Sequence, residues 1–269
     1  MNNNGQWGDN VEFDSVGFCV FGIPAYFFCA CCGVVVATCA FIILLSSKKY
    51  NLQQHTKALA VSIVGLIVFA RLFGCMTGVY RALGNNEPIT FEAIKDTGIV
   101  FYGGLIGMLV TYSMCIRTPL ISEKDFQILD ILAVTFPLFH SIARIGCFLA
   151  GCCYGIERDT CISIRYTLLE QGMRNTSLRI PVQIIEAGFN FLIFIYLLSL
   201  LKSDTWRSKH ILYRYLTIYP ITRFFLEFIR GDSARGVING ISFSQVISVG
   251  ILIFVLAMRL KATYTKEAF

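Results

Sequence analysis

Long apolar runs, separated by short polar stretches, dominate this chain. A membrane-spanning helix needs about 20 mainly apolar residues. Runs of that length fall at about 25–46, 58–80, 98–116, 126–150, 181–201, 211–229 and 241–258. The first apolar stretch, 16–46, is too long for one upright span, and Pro24 divides it into a short interfacial piece and a span. The runs lack the apolar–polar alternation of barrel strands, so helices must satisfy their backbone groups in lipid. The pattern predicts an all-α polytopic membrane protein of about seven transmembrane helices, in a single domain over 1–269. No internal repeat and no matching pair of broken helices accompanies the runs, which weakens a secondary-transporter reading.

Composition agrees with this pattern. The chain is 55% hydrophobic and 15% charged, with a mean hydropathy of +0.64. A soluble domain carries about 25% charged residues, so these charges are too few to coat a soluble globule. The net charge of +6 calls for no nucleic acid, because the basic residues fall in alternate loops. Lys48, Lys49 and Lys57 follow the first span, and Lys202, Arg207, Lys209 and Arg214 follow the fifth. Arg259, Lys261 and Lys266 follow the seventh, whereas the N-terminus carries Asp9, Glu12 and Asp14. Basic loops face the cytoplasm, which places the N-terminus outside and the C-terminus in the cytoplasm. The segment 151–180 is then extracytoplasmic, and its four arginines suit anionic lipid headgroups.

Ionisable residues inside spans cost about 2.5–3.5 kcal/mol each to insert and mark candidate sites. Arg71 lies in the second span; Asp130, His140 and Arg144 in the fourth; Glu186 in the fifth; Arg223, Glu227 and Arg230 at the sixth. His140 and Arg144 are four apart and share a helix face, as do Arg223 and Glu227. Arg223 and Glu227 form either a structural ion pair or part of a site. Arg144 has no acid three or four residues away, so its partner comes from another helix or a ligand. A phosphate suits it, because a guanidinium binds phosphate oxygens bidentately. Arg144 and Arg223 together suggest an anionic lipid headgroup. Arg71 either snorkels or pairs with Glu186. The glycines of "YGGLIG" (102–107) permit either close helix packing or a ligand chain against the backbone.

Of eleven cysteines, most fall in apolar runs, where a free thiol is a small hydrophobe. Cys147, Cys152, Cys153 and Cys161 are open to three readings. They fill space, form a disulfide with Cys161, or make a metal or redox site. Cys-x4-Cys-Cys is not a standard zinc spacing, so no metal and no cofactor is expected. No phosphate loop, dinucleotide fingerprint or HExxH occurs, which leaves NTPase, dehydrogenase and zincin chemistry without support.

At these residues the chain resembles the bacterial prolipoprotein diacylglyceryl transferases. "YGGLIG" is similar to a third-span motif, His-Gly-Gly-Leu-x-Gly. "ARIGCFLAGCCYG" resembles the family signature, Gly-Arg-hydrophobic-Gly-Asn-Phe-x-Asn-Gly-Glu-x-x-Gly. "RIPVQIIEA", "ITRFFLEFIRGD" and "SQVISVGILI" resemble three further motifs in the family order. The resemblance implies transfer of diacylglycerol from phosphatidylglycerol to the lipobox cysteine of a preprolipoprotein, in the bacterial inner membrane. The partners implied are that lipid and the preprolipoprotein signal peptide. Arg144, Gly155, Glu186, Arg223 and Glu227 match family positions, and Arg71, Gln183 and Gln245 match less closely. Gly103 and Gly104 fall in the third-span motif and join the implied lipid contacts.

The chain also departs from the family. Tyr102 stands where the family has a histidine, Cys147 replaces an asparagine, Cys152 a glutamate and Arg179 a histidine. A tyrosine is a poor base near neutral pH. His140, one turn before Arg144, is the alternative base, with Arg144 favouring its neutral form. Two other functions stay open: a divergent paralogue using another acceptor, and a non-catalytic lipid-binding or transport protein.

Overall fold

The computed structural model describes residues 12–14, 18–91, 94, 98–122, 124–170, 173–232 and 236–267. Asp9 of the acidic N-terminus lies outside them. The apolar runs form helices α1 (Ala25–Ser47), α2 (Leu52–Asn85), α3 (Phe101–Arg117), α4 (Ile128–Leu149), α5 (Val182–Lys202), α6 (Ile211–Leu226) and α7 (Phe243–Glu267). Five of these, α1, α2, α4, α5 and α7, are long and apolar enough to cross a membrane. Large apolar side chains such as Val35, Ile43, Val64, Val68, Leu192 and Ile253 are exposed along them. Water would not tolerate so much exposed apolar surface. The chain is a polytopic, multi-pass membrane protein.

Helix α2 starts six residues before the expected span and ends five after it. Hydropathy cannot register its polar ends. Asn51 caps it, accepting from the Gln54 amide at 3.1 Å, which holds "LQQHTK" in the helix. At 34 residues it is about 50 Å long, well beyond the hydrocarbon core. Helices α3 and α6 are shorter, at 17 and 16 residues. A 3-10 turn, Glu227–Ile229, prolongs α6.

The all-α expectation needs amendment. Strands β1 (Glu12–Asp14), β4 (Ile164–Glu170) and β5 (Met173–Arg179) form one sheet, with β1 parallel to β4 and β4 antiparallel to β5. The expected interfacial piece before Pro24 is a hairpin of β2 (Cys19–Val20) and β3 (Ile23–Pro24). Its turn residues Phe21 and Gly22 both have positive φ, as a tight hairpin turn requires. A second small hairpin, β6 (Val237–Ile238) with β7 (Ile241–Ser242), precedes α7.

The chain divides into two compact units. One comprises 1–38, 137–196 and 225–232; the other 39–136, 197–224 and 233–269. In the first, Phe13, Phe148 and Tyr166 stack with ring centroids 4.7–5.5 Å apart. In the second, α2 packs along α3 through glycines. A Cβ on Gly107 would meet the Gly65 carbonyl at 2.5 Å. Also in the second unit, Asp125 receives hydrogen bonds from Tyr50 and Arg207, each at 2.6 Å. Burial alone would raise the Asp125 pKa, but bonds from Tyr50, Gln127 and Arg207 hold it below the ordinary value. Asp130 accepts from the Leu212 amide at 2.7 Å, so it satisfies a free N–H at the start of α6. That role removes Asp130 from the functional candidates.

Candidate active site

In the first unit, α4 and α5 each carry a polar stripe at helical spacing. On α5, Gln183, Glu186 and Asn190 are each 1% exposed. On α4, His140, Arg144 and Cys147 recur at four and three residues and are also buried. Such a stripe in an apolar helix must face polar partners. Glu186 supplies them. Its Oε2 lies 3.0 Å from Arg144 Nε, and its Oε1 lies 3.6 Å from His140 Nε2. Arg144 Nε also donates to His140 Nε2 at 3.1 Å. In that bond Nε2 is the acceptor. Ser141 ties the helices further, donating to the Ala187 carbonyl at 2.9 Å.

The sequence predicts an interhelical or ligand partner for Arg144, and the structure supplies Glu186. Glu186 is thus engaged by Arg144 and His140.

The end of α4 is a Schellman motif. The Cys152 amide bonds the Cys147 carbonyl at 3.1 Å, and the Gly151 amide bonds the Phe148 carbonyl at 3.2 Å. Gly151 adopts φ +70, which a glycine takes without strain. Gln183 secures the turn by donating to the Cys152 carbonyl at 2.9 Å. Cys153 takes the unusual φ of +59. The turn brings the sulfurs of Cys147, Cys152 and Cys153 within 4.8 Å of one another. All eleven cysteines are free thiols, and Cys161 is exposed, so the disulfide with Cys161 expected as one reading is not formed. Hydrogen bonds from Cys147 and Cys152 lead in holding the Cys153 thiol well below its ordinary pKa. Burial opposes them, and the charges of Arg230 and Arg144 assist.

Gly155 forms an antiparallel bridge with Arg230. A Cβ there would strike the Ile180 carbonyl. Gly155 is therefore a crossing point of backbones. Arg230 is clamped by both Asp232 oxygens, at 2.9 and 2.7 Å, and lies 3.9 Å from Glu227. Arg179 pairs with Glu157 at 2.6 Å and lies 4.4 Å from the Tyr154 ring centroid.

In the second unit, the Tyr102 hydroxyl hydrogen-bonds Ser248 at 2.6 Å, and its ring meets Tyr219 edge-on. Arg223 is buried and donates to Ser244 at 3.4 Å. Gly103 lies against the Phe69 carbonyl, and Gly104 sits beside Leu66 and Ala70. Of the two readings of "YGGLIG", close helix packing is the one these contacts support. Gln245 has a plain structural role. Ser242 and Gln245 exchange bonds at 2.8 and 3.2 Å, a capping box at the start of α7.

Sequence reasoning missed Ser141 and Asn190. The spacing of Gln183, Glu186 and Asn190 was the available signal for the second. A metal or redox site is one of the three readings of the cysteines, and the Cys-x3-Gly-Cys pattern of a Schellman turn is the signal that draws the thiols together.

The chain matches the prolipoprotein diacylglyceryl transferase family over residues 16–260. It is 30% identical over 250 residues to the phosphatidylglycerol–prolipoprotein diacylglyceryl transferase of Clostridium tetani, covering 88% of this chain and 95% of that one. It is 28% identical over 239 residues to transferase 2 of the same name from Clostridium perfringens, covering 87% and 90%. A Campylobacter lari protein of that name is 26% identical over 270 residues, covering 92% of each. With an acid–arginine–histidine cluster buried on two apolar helices and this match along nearly its whole length, the chain belongs to the prolipoprotein diacylglyceryl transferase family and is a transferase of lipoprotein biosynthesis.

Proposed function

We propose that the chain moves the diacylglyceryl group of phosphatidylglycerol onto the lipobox cysteine of a preprolipoprotein, in the bacterial plasma membrane. The observation that carries this reading is Arg144, buried on an apolar helix and oriented by Glu186 and His140. Glu186 fixes the guanidinium plane, so the fork is preorganised for phosphate. As the carbon–oxygen bond to phosphate breaks, negative charge grows on the leaving oxygen. A fixed cation there stabilises it without reorganisation. His140, held as a neutral acceptor, serves as the base that helps form the acceptor thiolate. Arg223 and Glu227 enter the reaction on the motif match.

The topology that serves this reaction has seven spans, with α3 and α6 completing the five longer helices. The basic loops around Lys48 and Lys202 and the basic C-terminal end face the cytoplasm.

Purified chain, labelled phosphatidylglycerol and a lipobox peptide should yield glycerol phosphate and thioether-linked peptide in equal amounts. Lipid binding without release of glycerol phosphate would overturn the assignment. Within that assay, His140→Ala should cost more activity than Tyr102→Phe; wild-type activity in His140→Ala would remove the histidine from the mechanism.

A further inference from the structure

Three thiols converge at the end of α4, and the family-type chemistry assigned above does not use them. Their sulfurs lie within 4.8 Å of one another. Three thiolates on one ion at a bond of about 2.3 Å sit about 3.8 Å apart in a tetrahedron and about 4.0 Å apart in a trigonal plane. The cluster therefore needs at most about 1 Å of closure to hold a metal. Cys147 is buried, whereas Cys152 and Cys153 are half-buried, so one side of the cluster is reachable. Among the described residues no other His, Cys, Asp or Glu joins this group. Three protein ligands and one open position is the pattern of catalytic rather than structural zinc.

The surrounding charge suits this occupant. Three thiolates and a dication carry net negative charge, which needs cations nearby. Arg144 Nη1 lies 3.9 Å from Cys147 Sγ, and the Arg230 charge acts on Cys153. An ion bonded to Cys147 could lie no further than about 6 Å from Arg144 Nη1 at the bond length of about 2.3 Å. The phosphate-binding arginine and the metal would be neighbours.

We propose that Cys147, Cys152 and Cys153 bind a thiophilic dication of the zinc class, whose fourth position takes the acceptor thiol as a thiolate. The activating part of this proposal rests on the transferase reading. On coordination the acceptor S–H gives its proton to His140, the base of the transferase reading, because coordination to the dication favours the thiolate. A sulfur lone pair then forms the S–C bond to the glyceryl carbon. The C–O bond to phosphate breaks, and its electron pair leaves on glycerol phosphate. The metal returns to three protein ligands without a change of oxidation state. Such an ion supplies what Tyr102 cannot, a thiolate at neutral pH.

The test uses the full chain in detergent, stripped of metal and then titrated with Zn2+ or Co2+. One equivalent should bind, with a cobalt–thiolate charge-transfer band. Cys152→Ser and Cys153→Ser should lose both signals, and Cys161→Ser should keep them. A free thiol of pKa about 8.5 is about 1% ionised at pH 6.5. Zinc-loaded chain should therefore transfer diacylglycerol up to about 100-fold faster than stripped chain at that pH, and the gap should close towards pH 9. No stoichiometric binding would overturn the site. Binding with equal transfer rates at pH 6.5 would overturn the activating role and leave the transferase reading standing. Binding without transfer in either form, at any pH, would overturn both that reading and the activating role while the metal site stands.

Discussion

Replacing Glu186 by glutamine separates charge from shape at the centre of the site. The substitution keeps the side-chain volume and one acceptor oxygen but removes the carboxylate that lies 3.0 Å from Arg144 Nε. At that separation two unit charges attract by about 5 kcal/mol at an effective dielectric of 20. Desolvation cancels much of this in the intact pair, so the pair itself contributes little. Breaking it is different, because Arg144 stays buried with its charge. Loss of one partner of a buried pair costs about 3–5 kcal/mol. We take the lower end, because His140 still accepts from Arg144 Nε. At about 2 °C or slightly more per kcal/mol for a chain of this size, Glu186→Gln should lower Tm by about 6–8 °C. Arginine without its carboxylate is also a stronger anion site. Added phosphatidylglycerol should therefore raise the Tm of Glu186→Gln more than that of the wild type, by the usual mass-action linkage. The measurement is thermal unfolding in neutral detergent, with and without the lipid. A variant within 1 °C of wild type, about half a kcal/mol on the same scale, would refute the reasoning.

Arg144→Lys should abolish transfer by about 100-fold or more while folding persists, because an ammonium cannot reproduce a planar fork; transfer assays on detergent-purified protein decide this. Asp125 has a folded pKa below its unfolded value of about 3.8, so its contribution is present above that pH and lost as pH falls through the folded value. Asp125→Asn should lower Tm modestly at pH 7 and leave it unchanged at about pH 2, a contribution of order 1 kcal/mol for a part-exposed pair. Gly103→Ala would press a Cβ into the Phe69 carbonyl, whereas Gly188→Ala meets nothing within 4 Å. The first should destabilise, and the second should be neutral or stabilise by up to about 1 kcal/mol through helix propensity, both read by thermal unfolding.

The helices were legible because lipid demands continuous apolar runs, and each expected run is a helix. Their ends were not legible in the same way. The first turns of α2 are polar, and only the Asn51 cap keeps them helical. Arg144 and Glu186 stood out singly because charge in an apolar run is conspicuous, but their pairing depends on how two helices face each other. Spacing along one helix cannot report that. The glycines of "YGGLIG" and the side chains of Gln183 and Gln245 show the converse. All fit a ligand-binding motif by pattern, yet Gly103 and Gly107 lie against backbone carbonyls, Gly104 against Leu66 and Ala70, Gln183 bonds a turn carbonyl and Gln245 caps a helix. The cysteines were discounted because linear zinc spacings assume an extended loop. A Schellman turn bonds its sixth residue back to its first, so it closes Cys147 on Cys152 across a gap of four.

The division of the chain bears on how the protein is made. The unit that holds Arg144 and Glu186 draws on segments up to residue 38, from 137 to 196 and from 225 to 232. It therefore cannot be complete until the ribosome has passed residue 232. Early helices must wait in the bilayer for partners made much later, with the long-range contacts that slow folding. A stop codon after residue 186 and before residue 230 would leave an inserted polypeptide with Arg144 and Glu186 present, but without the stretch of backbone that Gly155 is shaped to receive.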